Sequence, residues 1–227
     1  IQLMDTLAGI TLDHVADAEQ QAERGEVVVT ESVIERIGDN LNIAEYRINP
    51  ATGAKFAQIS GVKEHITPHI WPDHSGLTEA QVKSWLLPPV YNRLQNSSGE
   101  YLAEIRPSVA LFLNFGGIDY DNDPEAGTKL DAYIIWVQNI LAKYDSYMLQ
   151  LTIGDKGCYL YSAFGSPVIH DDDPIRAVAA ALDLQTPPDA LSYIGPVQIG
   201  ISQGRMRAGA YGGLARRTYG ALGDEVN

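Results

Sequence analysis

Two apolar runs, 147–153 and 159–164, flank the turn Gly154-Asp155-Lys156-Gly157. Short runs rich in Tyr, Leu and Ile read as strands, and a brief Gly-containing connection makes them an antiparallel hairpin. This hairpin constrains the fold most, because a regular order of elements surrounds it. Upstream, residues 108–115 are apolar and strand-like, and 119–127 form an acidic, Gly-containing loop. Within 128–144, Leu130, Tyr133, Ile134, Val137, Ile140 and Leu141 recur at helical spacing. Downstream, Asp171-Asp172-Asp173-Pro174 opens a helix running to about residue 184. Acids and proline in the first turn are what the helix dipole and a fixed φ favour. Strands are expected at 197–202, 206–211 and 217–222. The order β-α-β-β-α-β-β predicts an α+β fold. Its centre is a ferredoxin-like βαββαβ core with extra strands, one antiparallel-rich sheet with helices on one face.

The first half is less regular. Residues 11–23 read as a polar helix stopped by Gly25, 26–30 as a short strand and 31–37 as another helix. Asn49-Pro50 and Thr52-Gly53 place a hairpin within 48–58. A connector follows, with Pro68, Pro72, Pro88-Pro89 and a helix over 77–87. Thr78 is its expected cap, because Gln81 stands three residues on. The polar run Gln95-Asn96-Ser97-Ser98-Gly99 precedes the main domain.

Composition narrows the partners. The net charge of −13 opposes nucleic acid and anionic membrane, which require a basic face. It leaves a nucleotide open, since that needs only a few local cations and usually a metal. Cys158 is the single cysteine, so no internal disulfide forms; a reducing, cytoplasmic setting is expected. No apolar run is long enough to span a bilayer. The chain starts at Ile1 and stops on a motif, as a fragment of a longer protein would.

Three stretches resemble the class III nucleotide cyclase domain, in the same order and at similar spacing. The first, Phe112-Leu113-Asn114-Phe115-Gly116-Gly117-Ile118, resembles the family's Phe-x-Asp-x-x-Gly-Phe pattern. The second is the Gly-Asp hairpin, followed by Phe164-Gly165-Ser166-Pro167 and Asp172-Asp173-Pro174. The third, Arg216 to Asn227, resembles Arg-Arg-x-Tyr-x-x-x-Gly-Asp-x-Val-Asn. The likeness covers 108–227. It implies that ATP is cyclised by attack of its 3′-hydroxyl on the α-phosphate, with pyrophosphate leaving. Two metal ions, Mg²⁺ or Mn²⁺, stabilise the attacking and leaving oxygens in such chemistry.

On this likeness the two metal aspartates fall on Asn114 and Asp155. An amide is a neutral donor, so this domain resembles the second, non-metal half of the soluble-type two-domain adenylyl cyclases. The metals would then be held mainly by a partner cyclase domain, intramolecular or homodimeric. Lys156 matches a lysine that contacts adenine, and Asn227 the transition-state asparagine that orients the ribose. The other base-selecting position falls on Gly220, which has no side chain to bond the base. Residues 9–30 resemble the end of a cyclase domain, with Asp13 and Asp17 at its transition-state positions. The expected division is therefore 1–48 as the tail of a preceding cyclase domain, 49–103 as a linker, and 104–227 as the cyclase homology domain. Residues 9–30 are expected to complete its sheet, as in a circular permutation. The fragment alone is expected to be inactive.

Simpler readings stand beside these. Arg216 and Arg217 either hold phosphates or flank an acidic surface. Gly116 and Gly117 either bring backbone amides to phosphate or make a tight turn. Asp155 is either a shared metal position or a turn residue. Asp121, Asp123 and Glu125 lack the rest of a calcium-loop pattern and read as a solvated loop. His65, His69, His74 and His170 lack zinc-spaced partners and read as structural or surface residues. Trp71, Trp85 and Trp136 read as core or interface anchors. A catalytically silent regulatory domain is the alternative function. A diguanylate cyclase relative is disfavoured, because Gly154-Asp155-Lys156-Gly157 stands where that family has Gly-Gly-Asp/Glu-Glu-Phe.

Overall fold

The computed structural model describes residues 1–70, 76–96, 103–154, 157–213 and 217–226. The chain forms two compact units, 7–75 and a larger one combining 1–6 with 76–227. The smaller unit contains α1 (Ile10–Gln20), β1 (Val27–Thr30), α2 (Glu31–Ile37), β2 (Leu41–Ile48) and β3 (Lys55–Val62). Its three strands pair antiparallel in the order β1-β3-β2. The Asn49–Gly53 turn lies where expected, but its first strand starts at Leu41, well before the expected 48. Phe56 and Ala57 on β3 are buried and anchor the sheet. Arg47 clamps the α1–β1 connection. Its guanidinium donates to Glu26 at 2.6 and 3.0 Å and to the Gln21 carbonyl at 2.6 Å.

This unit corrects one expectation. β1 pairs with β3 and is absent from the sheet of the larger unit, so it does not complete that sheet. The stretch expected as a tail and the hairpin expected in the linker share one sheet, because β3 offers β1 a full edge of backbone hydrogen bonds.

The larger unit contains α3 (Glu79–Ser84), α4 (Pro88–Asn96), β4 (Glu104–Phe115), α5 (Ala126–Lys143), β5 (Tyr147–Gly154), β6 (Gly157–Phe164), α6 (Asp173–Leu184), β7 (Gln198–Gly212) and β8 (Arg217–Leu222). Thr78 and Gln81 form the expected reciprocal cap on α3. The Pro88-Pro89 connector and part of the polar run form α4. Proline at the first helical positions has no hydrogen bond to lose there.

The sheet order is β5-β6-β4-β7-β8, with every pair antiparallel. The first four strands are the ferredoxin-like arrangement and β8 is the extra one, so the α+β expectation holds. β7 is one continuous strand where two were expected. Register accounts for this, since Gln198–Ala208 pairs along β4 and Arg207–Gly212 continues along β8.

Period-2 alternation along β4 separates the two faces of the sheet. Val109, Leu111, Leu113 and Phe115 face α5 and α6 and join Tyr133, Val137, Leu141, Ala177, Ala180 and Leu184 in the main core. Each fully buried large aliphatic there is worth about 1.5–3 kcal/mol. Ala110 and Phe112 lie on the opposite face with Tyr161, Met206, Ala208 and Ala221. α5 and α6 thus cover one face and leave the second for a smaller cluster.

Candidate functional site

Asn114 is the penultimate residue of β4, on the face that carries Phe112. It pairs in register with Tyr159 on β6, and Phe115 pairs with Cys158. Gly154 and Gly157 close the β5–β6 hairpin opposite each other. Gly157 has φ +98°, and a Cβ there would come 3.2 Å from the Asn114 Nδ2. The amide of Asn114 therefore reaches the base of the hairpin turn. Asp155 and Lys156 lie outside the described residues, as do Arg216 and Asn227. Beside this end, the Tyr120 hydroxyl lies 3.5 Å from Cys158 Sγ. Burial, and then the thiol, push the Tyr120 pKa up.

Gly116 and Gly117 follow Asn114. The Gly116 carbonyl accepts from the Gly195 N–H at 3.0 Å. Gly117 has φ +104°, and a Cβ there would fall 2.1 Å from the Tyr193 carbonyl oxygen. Close packing of the 192–195 turn is thus a sufficient reason for glycine at 117.

At the far strand, Gly220 pairs with Gly209, one residue out of step with Ala208 and Ala221 and so on the face opposite Asn114. The ring of Tyr211 lies against Gly220, 3.4 Å from where its Cβ would stand. A recess of about 250 Å³ opens here, walled by Leu149, Gln150, Tyr161, Tyr211, Tyr219 and Gly220, among others. Tyr161 stacks on Phe112 at 4.8 Å and donates to the Ala221 carbonyl at 2.8 Å. Tyr219 and Ser166 share a 2.6 Å hydroxyl contact. An aromatic recess of this kind can stack a planar ring. Arg217, at the start of β8, is exposed and donates to the Gly213 carbonyl at 3.3 Å. The recess was not foreseen. Tyr161, Tyr211 and Tyr219 alternate along strands, but sequence spacing gave no sign that they converge on one glycine.

The remaining candidates have structural partners. Asp173 is buried and accepts from the His170 backbone at 2.9 Å. The His170 ring lies 3.2 Å from Asp173 and 3.0 Å from Asp145. In the acidic loop, Asp119 accepts from the backbone of Asp121 and Asn122 at 3.1 and 3.0 Å. Asp123 pairs with Lys129 at 2.6 Å. These bonds, led by Asn122 for Asp119 and by Lys129 for Asp123, hold both carboxyls below their ordinary pKa. Trp136 packs against the main core, Trp85 is exposed, and Trp71 and His74 lie outside the described residues. Among the described residues, no three His, Cys, Asp or Glu side chains are placed to hold a metal ion. With a neutral amide at 114, the described donors do not fit a resident divalent metal. No helix among them is long and apolar enough to cross a membrane.

No family model matches the chain. Among curated proteins it is similar to adenylate cyclase type 10 of Homo sapiens, 24% identical over 151 residues. That match covers 66% of this chain and 9% of the human protein. The Rattus norvegicus protein of the same name is 27% identical over 128 residues, 56% of this chain and 8% of that one. The chain carries class III cyclase homology. It matches less than a tenth of the length of these cyclases. Solved structures resemble part of the chain at low similarity. The guanylyl cyclase Cya2 gives a TM-score of 0.48 at 23% identity, over 55% of this chain and 67% of that one. The adenylyl cyclase CyaB from P. aeruginosa gives 0.46 at 18%, over 55% and 69%.

Proposed function

We propose that this chain is part of a class III adenylyl cyclase that converts ATP to cyclic AMP and pyrophosphate at the interface of two cyclase domains. This half supplies base recognition and transition-state groups. Lys156 contacts the base, Asn227 orients the ribose, and a partner domain holds Mg²⁺ or Mn²⁺. Residues 1–48 are, on this reading, related to the end of a preceding cyclase domain.

The observation that carries the reading is the position of Asn114. Its amide reaches the base of the hairpin turn, where the family likeness places the second metal aspartate. A neutral donor at that point favours a half that receives the nucleotide over one that binds metal. The aromatic recess, which Tyr161 joins to the face carrying Phe112 and Asn114, supports a planar base as the group received.

The contact of Tyr211 with Gly220 favours a second reading, a silent regulatory cyclase-homology domain that pairs with a partner or binds nucleotide. The ring packs beside the base-selecting position, and glycine there offers no side chain to bond a base.

The test is cyclic AMP formation from ATP and Mn²⁺ when this chain is combined with a cyclase domain carrying both metal aspartates. A Lys156→Ala version is run alongside. Turnover that needs this chain and falls on the substitution supports the enzyme reading. No turnover with ATP or GTP, from a combination that pairs and keeps its native circular dichroism, moves the assignment to the regulatory domain.

A further inference from the structure

We propose that the larger unit binds a small amphipathic carboxylate in a second cavity, separate from the recess over Gly220. The cavity has a volume of about 280 Å³ and lies among α4, β5 and the β7–β8 pair. Its walls are apolar: Trp85, Leu87, Val90, Leu94, Met148 and Leu149. Leu87, Val90 and Met148 are buried, while Trp85 and Leu94 are exposed at the mouth. Buried floor and exposed apolar mouth describe a pocket that a chain or ring can enter.

Charge then selects the head group. The chain has a net charge of −13, yet among the described residues no Asp or Glu lines this cavity. Among the described residues, the one charged side chain in its lining is that of Arg217. That guanidinium bonds the Gly213 carbonyl through Nε, and no carboxylate among the described residues pairs with it. Its planar fork matches a carboxylate through two parallel hydrogen bonds. Thr218, next to it, adds a hydroxyl to the lining. An apolar body with a carboxylate end satisfies both parts of the cavity. The volume lies at the small end of ligand pockets, roughly 300–1,000 Å³, so the occupant is a short-chain amphiphile. Leu149, Thr218 and Tyr219 wall both this cavity and the recess over Gly220, which puts an occupant against the strand that carries Gly220.

The experiment is calorimetric titration of the 227-residue chain with octanoate and with octan-1-ol. Octanoate is expected to bind one-to-one and more tightly than the alcohol. Arg217→Gln is expected to weaken octanoate about tenfold, the loss of a charge-assisted pair, and to leave the alcohol unchanged. Leu94→Glu, at an exposed position, is expected to abolish octanoate binding while thermal unfolding stays as in the parent chain. Absence of saturable octanoate binding would overturn the proposal. So would equal binding of octanoate by the parent and Arg217→Gln chains, or octanoate binding that survives Leu94→Glu.

Discussion

Tyr133 stands at the centre of the main core with its side chain fully buried, and among the described residues its hydroxyl has no hydrogen-bond partner. Burial alone pushes its pKa up. The ring is well placed, 4.8 Å from Phe115 and 5.9 Å from Trp136, and both contacts survive replacement by phenylalanine. Tyr133→Phe therefore removes one unpaired polar group and little else. An unsatisfied buried group costs about 1–3 kcal/mol. Part of that gain is offset by the small void the oxygen leaves. The expected net effect is a stabilisation of about 1 kcal/mol, which raises the unfolding midpoint by ~2–4 °C in a unit of this size. Urea and thermal unfolding followed by circular dichroism measure it. A loss of stability of 1 kcal/mol or more would refute the reasoning, because it would mean that a buried water satisfies the hydroxyl.

Gly117→Ala is expected to destabilise by more than the ~1–3 kcal/mol of a strained backbone, since its Cβ also meets the Tyr193 carbonyl; urea unfolding reads the loss. Tyr161→Phe removes the bond to the Ala221 carbonyl and is expected to cost about 1 kcal/mol, checked in the same assay. The pairings of Glu26 with Arg47, Asp123 with Lys129 and Asp172 with Arg176 depress the carboxyl pKa in each case. Stability from a depressed carboxyl is present above its unfolded pKa and lost as pH falls through the folded value. Unfolding midpoints are therefore expected to be flat near neutrality and to fall below the ordinary values of 4.5 for Glu26 and 3.8 for the two aspartates. A midpoint that rises on acidification would refute the sign.

The larger unit was legible because its signals were periodic. Helical spacing from Leu130 to Leu141 marked α5, and the apolar run 108–115 marked the buried part of β4. The same logic failed where pairing rather than local pattern decided the outcome. β7 runs unbroken through Ser202–Met206 because β4 offers partners along that stretch. β1 joined β3 because a complementary edge lay within its own unit. The site divides the same way. Asn114 was visible as a departure from an aspartate, since identity at a motif position is a property of the sequence. The Tyr211 ring over Gly220 was not, because it depends on which strands lie side by side.

Asn114 is also where the proposed division of labour is most exposed to test. Strand geometry places its amide at the base of the β5–β6 turn, on the sheet face that α5 and α6 leave uncovered. If this half lacks metal affinity because one anionic donor is missing, restoring the charge restores the affinity. Asn114→Asp changes an amide to a carboxylate of nearly the same shape, so the packing against Gly157 is retained. Hard divalent cations gain affinity with each added carboxylate. Mn²⁺ binding by Asn114→Asp is expected to exceed that of the parent chain by about tenfold or more, read by calorimetry. Asn114→Asp, Asp155→Ala together should return it to the parent level. Equal Mn²⁺ affinity in all three chains would show that positions 114 and 155 do not converge on a common ion. The assignment of this domain as the non-metal half would then lose the observation that carries it.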